Sequence, residues 1–244
     1  AALLLGGLKY GVQKFDRAHA GLDATLLILS VIALGIPSLF NVAIEPNFAS
    51  VEGLSIGASI AMLVMYGLAI IHSLTARSPA GDPIAHEAHP PSGWSVRRAS
   101  IALVVAVALI VVLSEILVSS VEPVTEALGL SEFFLGIILV PIIGNVAEHL
   151  VAVQVALKNK MDLSLSIAIG SSLQIALFVA PALVFLSLLV GHPLKLEFNG
   201  FELAAVGAAS VIAAFVSLDG ESNWLEGAML LVVYVILGLA FFFL

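Results

Sequence analysis

The chain has 244 residues, of which 61% are hydrophobic and 11% charged, and its mean hydropathy is +1.15. A soluble domain carries about 25% charge, so this composition excludes a water-soluble globule and points to a polytopic membrane protein. The net charge of −8 comes without a basic stripe for nucleic acid, and the lack of cysteine excludes disulfides and thiolate metal sites.

Taken in order, residues 1–8 are apolar but too few to span, and no basic flank precedes them as in a signal peptide. They read as the tail of a helix begun upstream, and the chain reads as a fragment. A polar connector with Lys9, Lys14 and Arg17 leads to spans predicted over 24–42 and 54–75. The linker 76–98 is broken by Pro79, Pro83, Pro90 and Pro91. A third span over 99–121 precedes an acidic loop holding Glu122, Glu126 and Glu132. Two spans over 133–157 and 163–190 follow, then a loop over 191–200, a span over 201–218, a turn over 219–223 and a last span over 224–244. The predicted fold class is all-α, a transmembrane helix bundle of seven full spans and a stub.

Alternate loops fall on opposite sides of the membrane. Lys9, Lys14, Arg17, Arg77, Arg97, Arg98, Lys158 and Lys160 collect on one side, and Lys195 stands alone on the other. The positive-inside rule puts the Lys158–Asp162 turn in the cytoplasm and the C-terminus outside. An internal repeat crosses this topology. Ser30-Val31-Ile32-Ala33 recurs as Ser210-Val211-Ile212-Ala213, Glu52-Gly53 as Glu226-Gly227, and Leu63-Val64-Met65-Tyr66 resembles Leu231-Val232-Val233-Tyr234. One copy enters from the cytoplasm and the other from outside, which is the inverted repeat of many secondary transporters.

The chemistry concentrates between 136 and 181. One apolar run carries Gly144-Asn145-Val146-Ala147-Glu148-His149, the next carries Gly170-Ser171-Ser172-Leu173-Gln174, and Lys158-Asn159-Lys160-Met161-Asp162 separates them. At 1.5 Å per residue each cluster lies roughly 15 Å from that turn, about half of a ~30 Å hydrocarbon core. Two antiparallel helices therefore bring both clusters to one depth. A carboxylate there costs about 2.5–3.5 kcal/mol on insertion scales, so Glu148 is a functional candidate by default. Gly144, Asn145 and Glu148 share a face of a continuous helix, as Ser171 and Gln174 do. Carboxylate, amide, hydroxyl and freed carbonyl oxygens form the ligand set of a hard cation such as Ca²⁺. Pro141 removes a backbone donor, and a kinked helix there would present carbonyls to a cavity. The plainer alternative for Ser171 and Ser172 is hydrogen bonding that only holds the bundle together. His149 reads as a proton relay, a ligand, or a histidine satisfied by a neighbouring helix.

Other polar groups are weaker candidates. Glu115, beside Ser114 near the outer end of its span, could line an outer vestibule or sit at the interface. Asn41 to Glu45 imitates the central cluster but falls at a span end, and His86-Glu87-Ala88-His89 has metal-like spacing in a Pro-rich linker. The repeat offset, taken back from Glu148, puts a second carboxylate cluster roughly 30 residues upstream of Ala1.

Gly144-Asn145-Val146-Ala147-Glu148-His149, Gly170-Ser171-Ser172-Leu173-Gln174-Ile175-Ala176-Leu177-Phe178 and Asp219-Gly220-Glu221-Ser222-Asn223-Trp224-Leu225-Glu226-Gly227 resemble signatures of the calcium/proton exchanger branch of the calcium/cation antiporter superfamily. The resemblance covers essentially the whole chain, with Val146 in place of the usual alanine. It implies an antiporter of one regulatory helix and two inverted five-helix repeats, exchanging Ca²⁺ for H⁺ and needing no cofactor. It divides the chain into the end of a first repeat (1–75), a cytoplasmic linker (76–98) and a second repeat (99–244). Glu148 would bind cation or proton, with Gly144, Asn145, His149, Ser171, Ser172 and Gln174 around it. The partners implied are Ca²⁺ (or Mn²⁺ and other divalents), H⁺, a lipid bilayer and the missing N-terminal half of the same protein. A prokaryotic plasma membrane is the expected location. Two rivals remain: a Na⁺/Ca²⁺-type exchanger, and an intramembrane metal hydrolase built on Glu148 and His149, for which only His72 and His192 near span ends could add nitrogen.

Overall fold

Hydrocarbon offers a backbone no hydrogen-bond partners, so long apolar runs satisfy themselves as helices. The computed structural model describes residues 1–43, 48–75 and 94–244 and is nearly all helix. We number the elements α1 (Ala2–Tyr10), β1 (Gln13–Lys14), α2 (Arg17–Ala43), α3 (Phe48–Thr75), α4 (Val96–Leu128), α5 (Glu132–Gly144), α6 (Val146–Ala156), α7 (Met161–Val190), α8 (Gly200–Ser217), β2 (Glu221–Ser222) and α9 (Trp224–Phe242). Among the described residues six helices are long and apolar enough to cross a membrane, and α5 with α6 makes a seventh if the bent pair is one span. Glu45 and the His86–His89 cluster lie outside the described residues.

Several predicted boundaries move: α2 begins at Arg17 rather than 24, α3 at Phe48 rather than 54, and Glu132 opens α5. Glu122 and Glu126, expected in a loop, are helical, because α4 runs through Pro123 to Leu128. Its 33 residues make a rod of about 50 Å, well beyond a ~30 Å core, so a terminal turn can carry acids into water. Gly129 then ends it with φ 64, in the left-handed region that a glycine adopts without strain.

Among the described residues, the ties that connectors make to helices and to each other gather at two ends of the bundle. At one end β1 pairs antiparallel with β2, Gln13 opposite Ser222 and Lys14 opposite Glu221. The same connector reaches the turn after α6, where the Asp16 amide donates to Asp162 Oδ1. At the other end Ser38 Oγ donates to Leu196 O (3.1 Å) and accepts from the Phe198 amide (2.7 Å), while Ser55 Oγ accepts from the Leu196 amide (3.1 Å). Asn41 there donates to Glu197 (3.2 Å), a tie from the end of α2 to the connector after α7.

Inverted-repeat geometry is visible in matched features. α1 and α7 both end on a left-handed glycine, Gly11 with φ 79 and Gly191 with φ 77. Ser30 and Ser210 are both buried and both turn their hydroxyls back to a backbone carbonyl of the previous turn. α2 packs along α8. The main core lies between α2, α3 and α7, built from Leu26, Met62, Ile169, Leu173, Leu177 and Val184. It fixes the face of α7 behind the second polar cluster.

Candidate functional site

Two prolines shape the site. A proline inside a helix lacks the donor for the carbonyl four residues back and crowds it. Here each strain is absorbed by one π-helical turn just upstream, Leu135–Leu139 before Pro141 and Ile175–Val179 before Pro181. The wider turn widens the ring before the proline and leaves carbonyls less fully used, a feature common at functional sites.

The first span then breaks. α5 and α6 meet at 53°, with Asn145 at the joint in a bridge conformation (φ −103, ψ 18). Asn145 Nδ2 donates to Pro141 O (2.9 Å), which leaves Oδ1 for another group. Gly144 and Asn145 therefore do not share a continuous helical face with Glu148, as their spacing suggested; they are the hinge at whose far side Glu148 begins α6. The correction strengthens the site. The last carbonyls of α5 and the first amides of α6, which have no partners within their own helices, fall at the break, as at broken helices that hold ions. Glu148 lies in the first turn of α6.

Glu148 is partly buried, and its Oε2 is fully enclosed without a hydrogen-bond partner. An enclosed, unpartnered carboxylate oxygen costs several kcal/mol unless a cation or a proton reaches it. That atom is the donor group a divalent cation needs.

Register places the second cluster. Ser164 Oγ, buried, donates across the hairpin to Ala152 O (2.9 Å). Counting equally along both helices from that bond sets Glu148 level with Ala168 and Asn145 level with Ser171. Ser171 and Ser172 both donate to Ala168 O (3.1 and 3.2 Å), so their oxygens keep lone pairs for a ligand. Removing the cross-hairpin bond by Ser164→Ala should cost about 1 kcal/mol, read as a lower thermal midpoint of the detergent-solubilised protein.

The remaining candidates sit further out. His149 and Gln174 are exposed, Gln174 at the end of the α-helical part of α7 just before its π turn. Gly144 is exposed, and a Cβ there would meet nothing, so it does not mark a close helix approach among the described residues. Glu115 is exposed on α4, an element that packs against the start of α5 rather than against the two clusters. Among the described residues no three His, Asp or Glu side chains surround a common point, so the hydrolase ligand set is not assembled. What sequence reading missed is how the α6 rod is held at its other end. Its partners are Lys9, Tyr10 and Gln13, roughly 150 residues earlier.

Residues 99–243 match the family described as sodium/calcium exchanger protein. The chain belongs to the sodium/calcium exchanger family. Within that family it is similar to the Ca²⁺/H⁺ antiporter of Aphanothece halophytica, 43% identical over 263 residues that cover 99% of this chain and 69% of the relative. It is similar also to the Ca²⁺/H⁺ antiporter ChaA of Bacillus subtilis (strain 168), 41% identical over 248 residues, covering 100% of this chain and 70% of that one. Its structure is similar to that of native YfkE, with a TM-score of 0.82 at 39% identity over 100% of this chain and 69% of that one. The family is thus the one that the glycine–asparagine–glutamate and glycine–serine signatures resembled. The chain is a membrane-spanning helix bundle of that family's fold.

Proposed function

We propose that this chain is the larger part of a secondary transporter that exchanges Ca²⁺ for H⁺ by alternating access. The observation that carries the reading is Glu148 Oε2, enclosed and unpartnered beside a helix break inside a membrane span. Cation and proton compete for that one carboxylate, which is the minimum an exchanger needs. Asn145 Oδ1, the Ser171 and Ser172 oxygens and carbonyls at the end of α5 supply neutral ligands for a hard cation. His149 and Gln174 complete the rim. Glu115 is assigned to an outer vestibule, where it acts on approach rather than on binding. Mn²⁺ and other hard divalents fit the same oxygens.

The two family relatives cited above extend beyond the stretch this chain covers, so we assign the second acid of the site to the first repeat, in a segment upstream of residue 1. Residues 1–75 close the first repeat, 76–98 link the repeats, and 99–244 form the second, a division supported by the family match over 99–243. The location assigned is a bacterial plasma membrane with the Lys158–Asp162 turn in the cytoplasm and the C-terminus outside. The relatives favour H⁺ over Na⁺ as the coupling ion, since those with high identity are Ca²⁺/H⁺ antiporters. In inverted vesicles carrying the full-length protein, an imposed pH gradient should drive ⁴⁵Ca²⁺ uptake, and a protonophore should collapse it. A Na⁺ gradient should drive none. Uptake driven equally by Na⁺ would overturn the assignment.

A further inference from the structure

We propose that Gln13 is a positioning residue for the cation site, setting the height of the Glu148 helix from the opposite end; the inference rests on the antiport reading above. α6 is a short rod, Val146–Ala156, set at an angle to α5 by the Asn145 break. It is tied to α7 at mid-length by the Ser164 bond to Ala152 O and held again at its C-terminus. The last carbonyls of any helix lack partners within it. Here two are taken, one by the end of α1 and one by the connector after it. Gln13 Nε2 donates to Ala156 O and to Asn159 Oδ1, both at 2.9 Å, and Lys9 Nζ and Tyr10 Oη donate to Leu157 O at 2.8 and 2.9 Å.

Of these three side chains only Gln13 is enclosed, 1% exposed, against Ala156 at 0% and Met161 at 1%. It cannot slide. Its backbone is paired to Ser222 in the β1–β2 ladder, and its Oε1 lies where a Cβ on Gly6 would be. Chemistry restricts the residue as well. Two acceptors, a carbonyl and an amide oxygen, need two N–H donors on one uncharged group, which among side chains of this length only glutamine supplies. A glutamate would present acceptors to acceptors, and a lysine would bury a charge. The rod from Ala156 to Glu148 is ~12 Å long, so a shift at the pin is carried to the carboxylate. Metal–ligand distances keep to within about 0.2 Å of their usual values, so such a shift changes how well the carboxylate meets the cation.

The experiment uses the full-length transporter in proteoliposomes and compares Gln13→Met with Ser38→Ala. Methionine fills the same volume without donors. Ser38→Ala removes comparable buried bonds from the other end of the bundle, where among the described residues no hydrogen bond runs to α6. Loss of a group bonded directly to a metal ligand costs about 10–100-fold in affinity; Gln13 acts through the rod, so Gln13→Met should raise KM for Ca²⁺ less, about threefold or more, with maximal velocity within about twofold. Ser38→Ala should lower the thermal midpoint similarly and leave KM within about twofold. Should Gln13→Met fail to fold, Gln13→Asn, which keeps the amide on a shorter stem, replaces it and should raise KM about threefold or more. An unchanged KM in the Gln13 variant, or an equal rise in Ser38→Ala, overturns the positioning role while proton-driven uptake by the wild type stands. Absence of that wild-type uptake overturns the antiport reading instead.

Discussion

Glu148→Gln in the full-length protein should lower the initial rate of proton-driven Ca²⁺ uptake at least about 100-fold, or ~2.7 kcal/mol, with the protein still folded and inserted. The amide keeps the shape of the side chain and removes both properties the exchange needs, a negative charge for the cation and a carboxylate for the proton. Stability supplies the discriminating control. Glu148 Oε2 is an enclosed oxygen without a partner, so the empty wild type carries its desolvation cost and the glutamine variant carries less. Without Ca²⁺ the variant should therefore melt no lower than wild type. Saturating Ca²⁺ at 100 times Kd should stabilise the wild type by about 2.7 kcal/mol and the variant hardly at all. Glu148→Asp keeps the charge on a shorter stem and should fall between the two. Glu115→Gln, exposed on α4, should change the rate less than about threefold, and less again in high salt, because an exposed charge is screened. A Glu148→Gln protein that transports at wild-type rate would remove the site.

The central pair was legible in the sequence because its signals are local and physical. An apolar run long enough to span, a Lys158–Asp162 turn that needs water, and one acid with no basic companion can each be read without knowing the fold. The hairpin count alone pairs Glu148 with Ser172, and the Ser164 bond to Ala152 shifts that register by about one helical turn, setting Glu148 level with Ala168 and Asn145 level with Ser171. The break at Asn145 was half visible: Pro141 signals a disturbed helix, but whether a helix kinks, bulges or breaks depends on how the turn before it widens, and Leu135–Leu139 carries no side-chain mark of that. The loop predicted around Glu122 and Glu126 failed because acids with a proline resemble a turn, whereas helix length beyond the core is free to run on into water. Gln13 was illegible for another reason. It is a polar residue in a connector, which usually signals solvent, and only the packing of α1 against α6 and α9 makes that connector an interior.

That packing supports the second large expected effect. Gly227→Ala should destabilise the protein by about 2–3 kcal/mol, against a wild type in which α1 and α9 cross with almost no space between backbones. A Cβ on Gly227 would overlap the backbone of Leu3 and Leu4, and one on Gly7 would overlap that of Trp224. The obstacle is main chain in both cases, so no rotamer change relieves it. The strain has few outlets, because α9 is fixed at this end by a capping box: Asn223 Oδ1 accepts from the Glu226 amide (3.2 Å), and Glu226 Oε2 accepts from the Asn223 amide (3.2 Å). Gly53 provides the internal comparison. It occupies the repeat position of Gly227 on the sequence alignment of the two copies, yet it is exposed and a Cβ there meets nothing. Gly53→Ala should thus be neutral or stabilising by up to about 1 kcal/mol, the ordinary gain of alanine within a helix. Combining Gly7→Ala with Gly227→Ala should cost less than the two separate losses, since the helices need to part only once. Thermal unfolding followed by tryptophan fluorescence reports on the crossing directly, because Trp224 sits on it. Equal midpoints for Gly53→Ala and Gly227→Ala would show that α1 and α9 are not in contact, and with them the frame that holds Gln13 against the Glu148 helix would go.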